Sequence, residues 1–190
     1  MRKINYYIVI MFLGSLLFYR AELFADVPPE NEWRVVESEF CTIKLHPEVE
    51  IKDLSRKIKI DFYDLFLNKR ERKNKTIEGE IAYKFDLLFK KTEKILDMYP
   101  RRIHLNILVY KDQSELNEVY KSVLGENNTN RRISWYVHRF TTIYTSEKVI
   151  SSGVIAHEMG HAVIDHYFLI LPPESIEEML AQYVEVHLND

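Results

Sequence analysis

The chain is poor in cysteine. Cys41 is the only one in 190 residues, so no internal disulfide can form, and neither a thiolate zinc finger nor an iron–sulfur cluster has its ligands. Any metal site must therefore draw on His and carboxylates. An excess of one charge is lacking too: 26 Lys and Arg stand against 29 Asp and Glu, a net of -3. That balance does not attract phosphates, and no basic stripe runs along an expected helix, so nucleic acid is not expected as a partner. Five Gly, six Pro and a hydrophobic share of 46% exclude collagen-like repeats and disorder. No internal repeat is visible. Long hydrophobic runs are missing as well, the apolar stretch from Ile8 to Phe18 being about half the ~20 residues needed to span hydrocarbon.

That short stretch has the layout of a secretory signal peptide. Arg2 and Lys3 precede it, and small residues follow at Ala21 and Ala25, so residues 1–25 are expected to be removed near Ala25. Loss of Arg2, Lys3, Arg20 and Glu22 takes the net charge from -3 to -5. The expected product is one exported domain, residues 26–190, periplasmic or extracellular, with no membrane span after cleavage.

Residues 33–45 alternate β-branched and aromatic side chains and read as one strand, with room for a bulge. Helical spacing follows over about 49–67 and 78–98, with a basic connection between them that reads as solvated. Ile103 to Tyr110 reads as a strand, Asp112 to Leu124 as a helix stopped by Gly125, and Asn127 to Arg132 as a polar loop. Ile133 to Val137 and Thr141 to Thr145 are the expected arms of a hairpin.

The chemistry lies near the end. His157-Glu158-Met159-Gly160-His161 is an HExxH string inside a helical run that Ser151 or Ser152 can cap. Four residues apart on a helix, the two imidazoles share a face and can reach one Zn²⁺, while Glu158 projects beside them toward a water. A catalytic zinc needs a third protein ligand and an open position. An extended string with Gly and His further along the same helix is ruled out, because Ile164 and Tyr167 stand at those places. A Glu from a following antiparallel helix is the other common solution. Pro172 and Pro173 break the chain before a second periodic run, Ser175 to Leu188, which offers Glu174, Glu177, Glu178, Glu185 and His187. Helix rise sets Glu174 too low and His187 too high, leaving Glu177 and Glu178. Ser175 and Glu178 also have capping-box spacing, and an apolar face of Ile176, Met179, Leu180, Tyr183 and Val184 favours Glu177.

HEMGHAV followed by EEMLAQYVE resembles the gluzincin metallopeptidases, whose second motif is a Glu, two residues, then Ala, often followed shortly by Tyr. The resemblance covers about residues 140–186 and is weaker upstream. It implies that His157, His161 and Glu178 bind one Zn²⁺, that Glu158 is the general base, and that the substrate is a peptide or protein. Ala181 would then let the two helices approach closely. The implied fold is α+β, a small zincin-like domain with a mixed, mostly antiparallel sheet, an HExxH helix and a C-terminal Glu-bearing helix. The chain ends 12 residues after Glu178, which resembles the minimal members of the clan.

Within this resemblance the oxyanion donor is open, with Tyr183, Tyr144, Tyr136, His138 and His187 as candidates. Gln182 occupies a place where some relatives carry a carboxylate that supports a histidine ligand, and Asp165 is the alternative support. Substrate is expected to pair along Thr141–Thr145 as an added strand. A second expectation is a catalytically weak or inactive zinc module that binds a peptide or cell-envelope partner.

Overall fold

The computed structural model describes residues 32–60, 76–124 and 133–189. The expected signal peptide, the part of the expected 49–67 helix beyond residue 60, the basic connection and the polar loop fall outside these residues; within them that helix already ends at Lys57, where Ile58 turns extended. No helix among those described is long and apolar enough to cross a membrane.

The expected single strand over 33–45 is two strands, β1 (Arg34–Glu37) and β2 (Cys41–Leu45), paired antiparallel. The turn between them is stabilised from afar. Asp86 accepts hydrogen bonds from the backbone N–H groups of Glu39 (3.1 Å) and Phe40 (3.0 Å), and the Ser38 hydroxyl bridges Cys41 N and O at 3.0 Å each. A carboxylate 46 residues away thus satisfies donors that a turn leaves open. Asp86 lies on the second of two helices that follow β2, α1 (Ile51–Lys57) and α2 (Ile77–Leu96). Then come β3 (Leu105–Tyr110), α3 (Gln113–Leu124), β4 (Trp135–Val137), a single 3₁₀ turn at His138–Phe140, and β5 (Thr142–Ser146). Two helices close the chain, α4 (Ser152–Tyr167) and α5 (Glu174–Val186).

The class is α+β with a mixed five-stranded sheet in the order β1-β2-β3-β5-β4. It is not mostly antiparallel: β2–β3 and β3–β5 are parallel, while β1–β2 and β4–β5 are antiparallel. Long connections carrying helices make the parallel pairs possible. One consequence corrects the expected substrate strand. Thr142–Ser146 is interior, paired with β3 on one side and β4 on the other, so β4 is the edge on that side.

Helices cover both faces, which is why β5 is buried along its whole length. On one face Ile107, Val109 and Ile143 pack with α1, α2, α4 and α5 through Leu54, Phe85, Phe89, Met159 and Val184. On the other, Trp135 stacks on Tyr144 at 5.4 Å and meets Tyr120 of α3 edge-on at 4.8 Å. α4 lies between the sheet and α5, which is what lets one of its faces serve the core and another a cleft.

Candidate metal centre

Ser151 caps α4, accepting from Val154 N at 3.3 Å. Ser152 is buried, and its hydroxyl pins the first turn by accepting from Lys59 N (2.7 Å) and donating to Lys59 O (2.6 Å). From there His157 and His161 stand one turn apart on the side of α4 that faces α5. The second helix starts one residue earlier than expected, with Pro173 at its N-cap. Ser175 therefore lies inside the first turn, and the capping-box reading of Glu178 lapses.

The packed face of α5 also differs from the periodicity. Ile176, Met179 and Tyr183 are exposed, while Ala181, Val184 and Leu188 are buried. Small side chains decide this orientation. A Cβ on Gly160 would meet Ala181 Cα at 3.2 Å and Ala181 Cβ at 3.5 Å, so the helix backbones approach closely where both residues are small. Glu178 precedes Ala181 by almost one turn and is thereby aimed at the histidines. Glu177 is directed elsewhere: burial and the nearby Asp165 and Glu174 raise its carboxyl above the usual range, with His138 opposing.

His157 Nε2 and His161 Nε2 are 3.3 Å apart. Glu178 Oε1 lies 3.5 Å from the first and Oε2 3.5 Å from the second. Zinc bonds of ~2.0–2.1 Å in tetrahedral array put neighbouring ligand atoms about 3.3–3.4 Å apart, and the spacings here are of that size, with the carboxylate turning a different oxygen to each ring. In the tautomers that turn both Nε2 lone pairs toward the carboxylate, positive charge between the three groups relieves their repulsion. His157, His161 and Glu178 form the only such group among the described residues.

Glu158 is buried and lines a cavity of 710 Å³ beside the triangle. Ile133 and Ser134 at the entry to β4, Val154 of α4, and Glu174, Ser175 and Glu185 of α5 complete its wall. A buried carboxylate next to three metal-type donors and open to a cavity is a donor set that suits metal-assisted hydrolysis.

No family model, curated protein or solved structure matches the chain.

Behind His157 stands a residue weighed in the sequence only as a ligand. Glu185 Oε2 is 3.4 Å from His157 Nδ1. The signal was its spacing, seven residues and two turns after Glu178 on the same helix face. Gln182 is exposed, and Asp165 accepts from the Tyr136 hydroxyl at 2.8 Å and meets His138 Nδ1. None of the five oxyanion candidates lines the cavity. Tyr144 is on the opposite side of the sheet, and Tyr136 is tied to Asp165, with burial and that carboxylate pushing its phenol up. His138 is exposed against Asp165, while Tyr183 and His187 stack on each other at 3.9 Å.

Proposed function

We propose that the protein is an exported zinc-dependent peptidase of gluzincin type, with Glu158 as general base. The observation that carries this reading is the convergence of His157 Nε2, His161 Nε2 and the Glu178 carboxylate, the ring nitrogens 3.3 Å apart and each 3.5 Å from a different carboxylate oxygen, on a cavity that Glu158 lines. When bound, zinc supplies a Lewis-acidic centre that lowers the pKa of water toward ~7 and polarises the scissile carbonyl. His157 and His161 hold it through Nε2 and Glu178 through its carboxylate. Glu158 takes the proton of the attacking water and delivers it to the leaving nitrogen. Its burial keeps the carboxylate out of bulk solvent, where proton transfer at close range is more effective.

The substrate peptide runs along the outer edge of β4 rather than along β5. Ile133 and Ser134 at the entry to β4 already wall the cavity, and an edge strand presents open backbone groups to an extended chain of any sequence.

A second reading rests on the five tyrosine and histidine candidates for oxyanion donor all lying off the cavity: a zinc module that binds peptides and cleaves them weakly or not at all. One experiment separates the two. Zinc-loaded protein is incubated with an unfolded protein substrate, with and without chelator, beside the Glu158→Gln variant. Cleavage that needs both zinc and Glu158 supports the peptidase. Stoichiometric zinc with peptide binding and no turnover above the Glu158→Gln background supports the module.

A further inference from the structure

We infer that Glu185 is the positioning carboxylate for His157, fixing the imidazole tautomer that turns Nε2 toward the ligand triangle, and that Gly153 is glycine so that the Glu185 side chain can cross it. The inference rests on the zinc reading above.

A neutral imidazole carries one N–H. His157 Nε2 points into the group formed with His161 Nε2 and Glu178, so its lone pair has to be free there and the hydrogen has to sit on Nδ1. That Nδ1 is closed off from solvent and has no well-aligned hydrogen-bond partner, while Glu185 Oε2 waits 3.4 Å away. A small swing of the carboxylate turns this into a charge-assisted hydrogen bond of ordinary length, which raises the basicity of Nε2 as well as fixing the ring.

The path of Glu185 is unusual. It starts on α5 and reaches His157 by passing over the first turn of α4, where a Cβ on Gly153 would lie 3.3 Å from Glu185 Cγ and 3.5 Å from Oε1. Gly153 stands four residues before His157 on the same helix face, directly beneath that path. Glycine inside a helix is unfavourable for the helix itself, so its presence in α4 asks for a reason of space. Glu185 also lines the cavity.

The test measures zinc affinity of the full chain by competition with a chromogenic chelator, and the His157 tautomer from ring ¹⁵N shifts of the metal-free protein. Glu185→Ala is expected to weaken zinc binding 10–100-fold and to shift His157 away from the Nδ1–H form. Glu185→Gln, whose carbonyl still accepts, is expected to fall between wild type and Glu185→Ala. Gly153→Val should weaken zinc binding in the wild-type background and have no further effect on affinity in the Glu185→Ala background, since its action runs through that side chain. Wild-type affinity in Glu185→Ala, or an equal Gly153→Val effect in both backgrounds, overturns the inference while leaving the zinc reading in place. A wild-type protein that takes up no zinc overturns both.

Discussion

Gly160→Ala probes the helix contact that aims Glu178. In an unconstrained helix this change stabilises by about 0.5–1 kcal/mol, because alanine loses less backbone freedom than glycine. Here the new methyl would sit 3.2 Å from Ala181 Cα, 3.5 Å from Ala181 Cβ and 3.6 Å from Val184 Cγ2. Carbon atoms in good contact are about 3.5–4.0 Å apart, so the first distance is short by about 0.3–0.8 Å. The atom that must yield belongs to backbone, and no rotamer change relieves it. α5 has to move away, and Glu178 moves with it. Overpacking of this kind costs about 1–3 kcal/mol, which offsets the helix gain and leaves a net loss of about 0–2.5 kcal/mol. A displacement near 0.5 Å is also about the tolerance of a metal site, so zinc affinity should fall more than stability does. Urea unfolding of the metal-free protein and chelator competition on the zinc form read the two effects separately. A variant more stable by about 1 kcal/mol with unchanged zinc affinity would refute the close-contact reasoning.

Three further outcomes are expected. Glu158→Gln should retain zinc while peptide turnover falls by a factor of about 10² or more, checked by metal analysis beside a cleavage assay; equal turnover removes the base assignment. Glu178→Ala should lower zinc affinity steeply and Glu177→Ala hardly at all, because only the former carboxylate reaches both imidazoles. Asp112 caps α3, accepting from Ser114 Oγ at 2.6 Å, Ser114 N at 2.8 Å and Glu115 N at 3.2 Å, and the Ser114 hydroxyl leads in holding its carboxyl below the usual range. A carboxyl depressed on folding contributes stability that is present above its unfolded pKa of about 3.9 and lost as pH falls through the folded value. Asp112→Ala should therefore cost about 0.5–2 kcal/mol at pH 6, and the gap to wild type should shrink below about pH 4 in a pH series of thermal unfolding.

Local signals made most elements legible. α2, α3, β3 and the β4–β5 hairpin fall within a few residues of their expected spans, since period and capping residues are properties of the segment itself. Non-local signals were not legible. The β1–β2 turn depends on Asp86 from another helix, so residues 33–45 looked like one strand. The parallel pairings of β3 depend on which crossovers pack, and they displaced β5 from the edge.

At the site, His157 and His161 were set by spacing alone, and the structure brings them together. The third donor was harder, because amphipathicity pointed at the wrong face of α5. Ile176, Met179 and Tyr183 form an apolar stripe that stays exposed, while the true contact runs through Gly160 and Ala181, residues too small to register as hydrophobic signal. The motif resemblance named Glu178 where periodicity favoured Glu177, and the geometry places Glu178 at the imidazoles. Glu185 escaped notice as a supporting residue because its partner is known only once the helices are laid side by side.

X-ray absorption at the zinc edge, on full-length protein loaded with one equivalent of zinc, addresses the central claim directly. The account predicts one tightly held ion with two imidazole nitrogens at about 2.0–2.1 Å and oxygen ligands completing the shell, one of them lost in Glu178→Ala. A protein that releases all its zinc on desalting, or a shell unchanged by Glu178→Ala, would contradict it.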